Sequence, residues 1–122
     1  MGKFLDLAYL LAASATSPIW LSSMVRTGKI HTDWHARFGE GVDLPETTRP
    51  RILIHAVSVG EVNAMRLLVK ALAEDPSNPE IVIAATTDTG IRRAMELFGE
   101  SHHVVRYPFD ISVSVSGFLS RI

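Results

Sequence analysis

Two short segments of this 122-residue chain place a glycine beside hydroxyl or carboxylate side chains, a combination that can bind a ligand. In the first, residues 57–61, Gly60 would let a ligand approach the backbone, and the start of a helix would offer free N–H groups to an anion such as phosphate. Ser58 and Glu61 also have the S-x-x-E spacing of a capping box, which requires no ligand. The spacing alone leaves both interpretations open.

The second segment, residues 86–90, consists of three threonines, an aspartate and a glycine. Its grouped hydroxyls could hold a sugar or a phosphate. A threonine or Asp88 could equally cap the following helix, and Gly90 permits tight packing there. Residues 107–110 form a third candidate, which most simply ends a strand and caps the next element at Asp110. The first segment has one glycine, so it is not the G-x-G-x-x-G pattern of dinucleotide binding.

The composition excludes several kinds of site and partner. Without cysteine there is no disulfide, no cysteine zinc site and no thiol nucleophile. A formal net charge of −1 argues against a nucleic-acid-binding protein, which would carry a clear basic excess. His31 and His35 are four residues apart but lack the glutamate of an H-E-x-x-H site, and His102 and His103 are expected to be a surface pair. No metal site and no cofactor are therefore predicted.

The elements around these segments alternate between short apolar runs and amphipathic stretches. Strands are predicted at 51–57, 81–85 and 103–107, and helices at 61–74 and 91–98. This order indicates βαβ units and a parallel sheet, whose ligands bind beyond the carboxyl ends of the strands. Residues 112–122 alternate in part like a strand but follow where a third crossover helix belongs, so we expect a helix. The predicted fold class is α/β: a Rossmann-like parallel domain with three α/β/α layers.

An apolar segment opens the chain. Residues 7–25 carry no charge, and this length is close to what spans the hydrocarbon core of a membrane. Pro18 lies inside the segment and is expected to kink or interrupt a helix. A secretory signal peptide would use Lys3 as its basic end and residues 13–15 as its cleavage site, and a buried core helix is a second alternative. The favoured interpretation is an uncleaved helix that anchors the chain by dipping into or crossing the bilayer.

Basic residues follow the apolar segment. Arg26, Lys29 and Arg37 favour a cytoplasmic face after the anchor. Residues 38–50 hold two glycines, two prolines and no periodic pattern, which indicates a linker. Three strands are few for this fold, so the sequence predicts a truncated domain. The predicted organisation is an anchor at 1–25, a basic segment and linker at 26–50, and a partial Rossmann-like domain at 51–122.

Four motifs stand in an order and spacing that resemble the start of the 3-deoxy-D-manno-octulosonic acid (Kdo) transferase family, which are glycosyltransferases of the lipopolysaccharide pathway. The motifs are WHARFG at 34–39, IHAVSVGEV at 54–62, TTDTG at 86–90 and YPFD at 107–110, preceded by the amino-terminal anchor. The HAVSVGE stretch is the most specific of them. The resemblance covers essentially the whole chain.

The resemblance implies a two-domain GT-B enzyme at the cytoplasmic face of the bacterial inner membrane. Its amino-terminal domain serves the acceptor, a lipid A precursor, and its carboxy-terminal domain binds the donor, CMP-Kdo, with no metal in the transfer step. Residues 51–122 would be part of the acceptor domain, so CMP-Kdo is a partner only if a second domain exists. The alternative function is a non-catalytic, membrane-tethered α/β module that binds an anionic ligand or a protein partner.

The family pattern before the linker is Glu-Arg-aromatic-Gly, and its glutamate is the proposed general base that deprotonates the acceptor hydroxyl. Arg37, Phe38 and Gly39 match this pattern. The base position, however, is Ala36, which cannot accept a proton, and Glu40 is the nearby carboxylate that could substitute. No catalytic residue is therefore secure, and we expect this chain alone to be inactive. The resemblance places the acceptor at Arg37, Gly39, Ser58, Gly60, Glu61, Thr86, Thr87 and Gly90.

Overall fold

A computed structural model describes residues 2–27 and 34–122 of the chain. Lys29 of the predicted basic flank and His31 lie outside the described residues. The described elements are, in chain order, α1 (Gly2–Thr27), α2 (Trp34–Arg37), β1 (Arg51–Ala56), α3 (Val59–Ala64), α4 (Arg66–Ala73), β2 (Glu80–Ala85), α5 (Asp88–Phe98), β3 (His103–Arg106) and α6 (Ser112–Leu119).

The three strands form one parallel sheet in the order β1-β2-β3. At the carboxyl edge of this sheet, Ala56 lies opposite Ala85, and Ala85 lies opposite Arg106. β2 is buried over residues 81–85, as expected for a strand that has a neighbour on each side and helices on both faces. The predicted parallel α/β sheet is confirmed, and each strand boundary agrees with its prediction to within one residue.

Helices cover both faces of the sheet, which gives three layers. On one face, α3, α4 and α5 pack against alternate residues of the strands. This core consists of Ala56, Val62, Met65, Val69, Ile81, Ile83, Ala85, Ala94 and Phe98. On the other face, Phe118 of α6 is fully buried beside Val82 and Ala84. The strands contribute to both cores because successive side chains of a strand point to opposite faces.

The helix predicted at 61–74 is present as two consecutive helices, α3 and α4, and it begins two residues earlier. Met65 separates them, with φ −78° and ψ −3°. The Met65 N–H donates to the Glu61 carbonyl, and the Val69 N–H donates to the Met65 carbonyl, so the helical hydrogen bonds continue across the junction. Val62, Met65 and Val69 consequently form one buried stripe, as their spacing predicts.

The start of α5 is set by a capping threonine. The Thr87 hydroxyl oxygen accepts a hydrogen bond from the Gly90 N–H at 3.0 Å. The helix therefore begins at Asp88, three residues before the first apolar position of the predicted helix. The prediction that a threonine or Asp88 caps α5 is confirmed in its threonine form.

α6 confirms the helix expected near the end of the chain. Ser114 and Phe118 lie one helical turn apart and are both buried. The segment therefore buries residues at helical spacing, although serine and valine alternate locally as they would in a strand. The predicted cap at Asp110 is wrong, because the N-cap position is the following residue. Instead, the Asp6 carboxylate of α1 accepts hydrogen bonds from the Ser112 N–H at 3.3 Å and from its hydroxyl at 3.2 Å. This contact ties α1 to the domain.

α1 runs through Pro18, so of the two expected effects the interruption is wrong, and the kink stays a prediction. Proline has no N–H to donate to the Ser14 carbonyl four residues earlier, and the Ser17 hydroxyl donates to that carbonyl at 2.9 Å instead. Most of the described apolar side chains of α1 are exposed. The predicted crossing of the bilayer is not confirmed: over residues 2–27 and 34–122, the structure has no helix with the length and hydrophobicity to span a membrane.

At the amino edge of the sheet, Glu80 of β2 joins the two outer strands. Its carboxylate pairs with the Arg51 guanidinium, and its Oε1 lies 3.1 Å from His103 Nε2. These two hydrogen bonds, the one from Arg51 first, hold the pKa of Glu80 below its ordinary value. The network stabilises the edge opposite the candidate site.

Candidate functional site

The carboxyl ends of the three parallel strands bring together polar residues from distant parts of the sequence. We call this group the carboxyl-edge site, and it consists of Arg37, His55, Thr86, Asp88, Arg106 and Tyr107. Ligands of open parallel sheets bind outside this edge. The site therefore lies where the sequence predicts a ligand, and it includes two of the predicted acceptor residues, Arg37 and Thr86.

His55, the penultimate residue of β1, contacts the segments that follow β2 and β3. Its Nε2 is 2.9 Å from the Thr86 hydroxyl, and its ring stacks on Tyr107 with the ring centroids 3.8 Å apart. Partial burial lowers the pKa of His55, and Glu61 and Asp110 oppose this shift by a smaller amount. The neutral imidazole is consequently the favoured form at pH 7.

Asp88, the first residue of α5, joins two arginines. Its Oδ1 accepts a hydrogen bond from Arg106 Nη2 at 2.6 Å and a longer one from Arg37 Nη2 at 3.4 Å. Arg106 also donates through Nη1 to the Thr86 carbonyl at 3.1 Å. The two arginine side chains are only 12% and 17% exposed. Asp88 thus balances two largely buried guanidinium groups and holds α2 and the end of β3 against α5.

Aromatic packing holds α2 at the same edge. The Phe109 ring lies 6.2 Å from the Trp34 ring and 5.6 Å from the Phe38 ring, measured between centroids. The Phe109 N–H donates to the Arg37 carbonyl at 2.8 Å, and the Arg37 guanidinium lies 5.6 Å from the Phe109 ring centroid. These contacts fix the segment before the linker to the segment after β3.

The loop between β1 and α3 forms only half of the predicted capping box. The Glu61 carboxylate accepts a hydrogen bond from the Val57 N–H at 2.5 Å. Ser58 is at the N-cap position but makes no side-chain cap bond, so the predicted reciprocal pair is wrong: Glu61 reaches one residue further back and fixes the loop alone. Gly60 is exposed, and within the described chain a Cβ there would meet nothing nearer than Ser58 Oγ at 3.9 Å. The backbone at Gly60 is therefore open to a ligand.

Three other predicted acceptor residues are engaged within the fold. Gly39 adopts φ +82°, and a Cβ there would lie 2.2 Å from the Ser114 carbonyl oxygen of α6. A Cβ at Gly90, which is buried, would lie 2.8 Å from the Oγ1 of its cap, Thr87. The Thr87 hydroxyl also donates to the Val57 carbonyl at 3.0 Å. Their contact with an acceptor stays a prediction, whereas their packing roles are visible.

The residue at the expected base position faces the interior. Ala36 is 8% exposed, and Gly41 packs so closely on it that a Cβ at Gly41 would lie 2.5 Å from the Ala36 Cβ. The Glu40 carboxylate lies 3.5 Å from His35 Nδ1, and the two side chains are 62% and 84% exposed. The suggested substitute base therefore pairs with a surface histidine.

Comparison with known proteins identifies the family to which this chain belongs. The family model for 3-deoxy-D-manno-octulosonic-acid transferase (kdotransferase) matches residues 32–122. The chain belongs to this family. The match contains all three strands and every residue of the carboxyl-edge site, so the resemblance to Kdo transferases is confirmed.

Three curated relatives carry the name 3-deoxy-D-manno-octulosonic acid transferase. The Haemophilus influenzae protein is 38% identical over 71 residues, which cover 58% of this chain and 17% of the relative. The Bordetella pertussis protein is 32% identical over 124 residues, which cover 93% of this chain and 28% of the relative. The Chlamydia muridarum protein is 28% identical over 111 residues, which cover 89% of this chain and 26% of the relative. The chain thus spans between 17% and 28% of the length of these Kdo transferases. No solved structure matches it.

Sequence reasoning missed part of the carboxyl-edge site. His55 and Arg106 were not expected there, Tyr107 was expected only at the end of a strand, and Asp88 was expected only as a possible cap. One signal was available for His55, because it interrupts an otherwise apolar strand. The others depend on the strand order, since the ends of neighbouring parallel strands meet only after the sheet has formed.

Proposed function

We propose that this chain forms the acceptor-binding part of a lipopolysaccharide-pathway glycosyltransferase that transfers Kdo from CMP-Kdo to a hydroxyl of a lipid A precursor. The family match over residues 32–122 carries the proposal. In this proposal CMP-Kdo binds a second domain across a GT-B cleft, and the carboxyl-edge site faces that cleft. The place of ligands in open parallel sheets supports this orientation.

The acceptor is proposed to bind at the loop between β1 and α3 and at the adjoining edge of the sheet. Gly60 is exposed and has open space where a side chain would project. Arg37 brings a cation and Thr86 a hydroxyl to the same edge. A phosphorylated sugar offers the anionic and hydroxyl groups that such side chains and a free backbone can bind.

The membrane is proposed as the second partner, at the cytoplasmic face of the bacterial inner membrane. Along α1 the described apolar side chains are mostly exposed, and Arg26 lies in its last turn. A helix that lies in the interface buries such side chains among the acyl chains and keeps cationic groups near the lipid head groups. The Asp6 contact with Ser112 would then hold the domain close to the membrane surface.

Cell fractionation followed by amino-terminal sequencing tests the membrane part of the proposal. We expect the full chain in the membrane fraction with its amino terminus intact. Recovery in the soluble fraction, or a mature start near Thr16, would contradict it.

Acceptor binding is tested by sedimentation with phospholipid vesicles that either contain or lack a Kdo-free lipid A precursor. The unaltered chain should bind more strongly to vesicles with the precursor, and Gly60→Val should remove that difference because its side chain fills the open approach. Leu67→Val, which introduces the same residue at an exposed helix position, is the matched control. If Gly60→Val keeps the preference at an equal folded fraction, the acceptor binds elsewhere.

Kdo transfer is tested with a fusion protein. In it the full chain replaces the matching part of the Bordetella pertussis relative and is joined to the rest of that relative. We expect this protein to move Kdo from CMP-Kdo to the precursor, and the 122-residue chain alone to move none. Transfer by the chain alone would contradict the division of labour between two domains.

A further inference from the structure

Transfer to a hydroxyl releases a proton, and a group near the acceptor must take it. This inference rests on the proposed function. Residues 34–40 offer no proton acceptor at the candidate site. Ala36 is buried and has only a methyl group, and the Glu40 carboxylate lies beside His35 at the surface. The Asp88 carboxylate already accepts hydrogen bonds from two arginines, which engages it within the fold.

His55 meets the geometric requirements that these residues fail. It is exposed at the carboxyl end of β1, five residues before Gly60, whose backbone is open in the first turn of α3. Stacking on Tyr107 and the hydrogen bond with Thr86 hold the ring in place. In the described part of the chain, Thr86 is the residue that hydrogen-bonds to this ring, and it does so at Nε2. The other ring nitrogen, Nδ1, is thereby left for a ligand.

The hydrogen bond with Thr86 fits either neutral tautomer of His55, because a hydroxyl can donate or accept, and one tautomer suits a base. If Nε2 carries the hydrogen and donates it to the Thr86 hydroxyl oxygen, then Nδ1 has a free lone pair. The charged groups facing the ring are Glu61 from α3 and Asp110 after β3, and α6, which covers the same face, carries no charged residue. Burial outweighs these two carboxylates, so the pKa of His55 is lowered and the ring is neutral at pH 7.

We infer that His55 is the catalytic base of this protein, accepting through Nδ1 the proton of the acceptor hydroxyl. As the proton moves to Nδ1, the acceptor oxygen forms its bond to the anomeric carbon of Kdo. The bond between that carbon and the phosphate oxygen breaks, and CMP leaves with the electron pair. The imidazolium then returns its proton to solvent, to which the exposed ring has access. Thr86 is a positioning residue in this scheme.

The experiment uses the full chain joined to the remainder of the Bordetella pertussis relative. His55→Gln should lower the rate of Kdo transfer by about 10²- to 10⁴-fold, the usual contribution of a general base, and leave precursor binding to vesicles unchanged. His35→Gln, an exposed histidine outside the site, is the control and should keep the rate. With His55 present, the rate should fall on acidification only below the ordinary histidine pKa, and this fall should be absent in the residual activity of His55→Gln.

A second measurement does not depend on transfer. Nitrogen NMR of the 122-residue chain should show His55 as the Nε2–H tautomer, with a pKa below the ordinary histidine value. A predominant Nδ1–H tautomer would overturn the inference, as would full activity of His55→Gln or a large loss on Glu40→Gln alone. No transfer by the unaltered protein would refute the proposed function together with this inference, whereas transfer that survives His55→Gln refutes only the base.

Discussion

Replacing Gly39 by alanine should destabilise the domain strongly. The residue has φ +82°, a conformation that costs an L-residue about 1–3 kcal/mol. The new Cβ would also lie 2.2 Å from the Ser114 carbonyl oxygen and 3.1 Å from the Phe118 nitrogen, so α6 would have to move. Because Phe118 is fully buried, that movement disturbs the core, as in overpacked cores where the cost is about 1–3 kcal/mol. The expected loss is about 2–6 kcal/mol, a large part of a typical domain's stability.

Urea unfolding at equal protein concentration measures this loss, with Gly60→Ala as the matched control. Gly60 lies in the first turn of α3, and its Cβ would meet only Ser58 Oγ at 3.9 Å. Alanine there should therefore raise the free energy of unfolding by about 0.4–1 kcal/mol, because it restricts the unfolded chain. If Gly39→Ala unfolds at the same urea concentration as the unaltered chain, the positive φ and the close approach to α6 do not exist in solution, and the packing role given to Gly39 is wrong.

Three further predictions concern side chains at the two edges of the sheet. Asp88→Asn should lower the free energy of unfolding by about 1–3 kcal/mol because two arginines lose their carboxylate, whereas Asp110→Asn, an exposed control, should change it by less than about 0.5 kcal/mol; equal losses in urea would contradict this. Ser58→Ala should lower the free energy of unfolding by less than about 0.5 kcal/mol, and Glu61→Ala should lower it by about 0.5–2 kcal/mol. A larger loss for Ser58→Ala than for Glu61→Ala would mean that the Ser58 side chain does cap α3. Because the pKa of Glu80 is lowered in the fold, its network stabilises the protein above the ordinary glutamate pKa and is lost as the pH falls through the lowered value. Thermal unfolding between pH 7 and 3 should therefore show a shallower acid loss for Glu80→Gln, and an identical loss would refute the assignment.

The secondary structure was largely predictable because burial and periodicity agree along most of the chain. Residues 81–85 form a continuous apolar run, and the structure buries all of them in the central strand. The stripe formed by Val62, Met65 and Val69 predicts a helix that packs on one face of that sheet. α1 illustrates the limit of such rules, because the Ser17 hydroxyl supplies the hydrogen bond that Pro18 cannot make. A rule that considers only the proline cannot predict this hydrogen bond from the neighbouring serine.

The candidate site was less predictable because it depends on which strand ends become neighbours. The hydroxyl of Thr86 and the glycine at position 60 are recognisable from local patterns. The stacking of His55 on Tyr107, by contrast, joins residues that are far apart in sequence and requires the β1-β2-β3 order. The glycine at position 39 was recognised for the right motif, but its positive φ and its contact with α6 are tertiary features that the motif does not state.

Ala36 stands where the family pattern has glutamate, and α2, which contains it, is held firmly against the domain. The Phe109 N–H holds the Arg37 carbonyl, Asp88 holds its guanidinium, and Gly39 packs on α6, so this segment is fastened to the domain by its backbone as well as its side chains. With Ala36 buried, the segment places a cation at the carboxyl edge but no proton acceptor. His55, an exposed residue of β1, is a polar group at the same edge that a ligand can reach. In the function proposed above, the acceptor binds at the loop after β1 and the adjoining edge, where Arg37 supplies the cation, and the proton is taken by His55 at the end of β1.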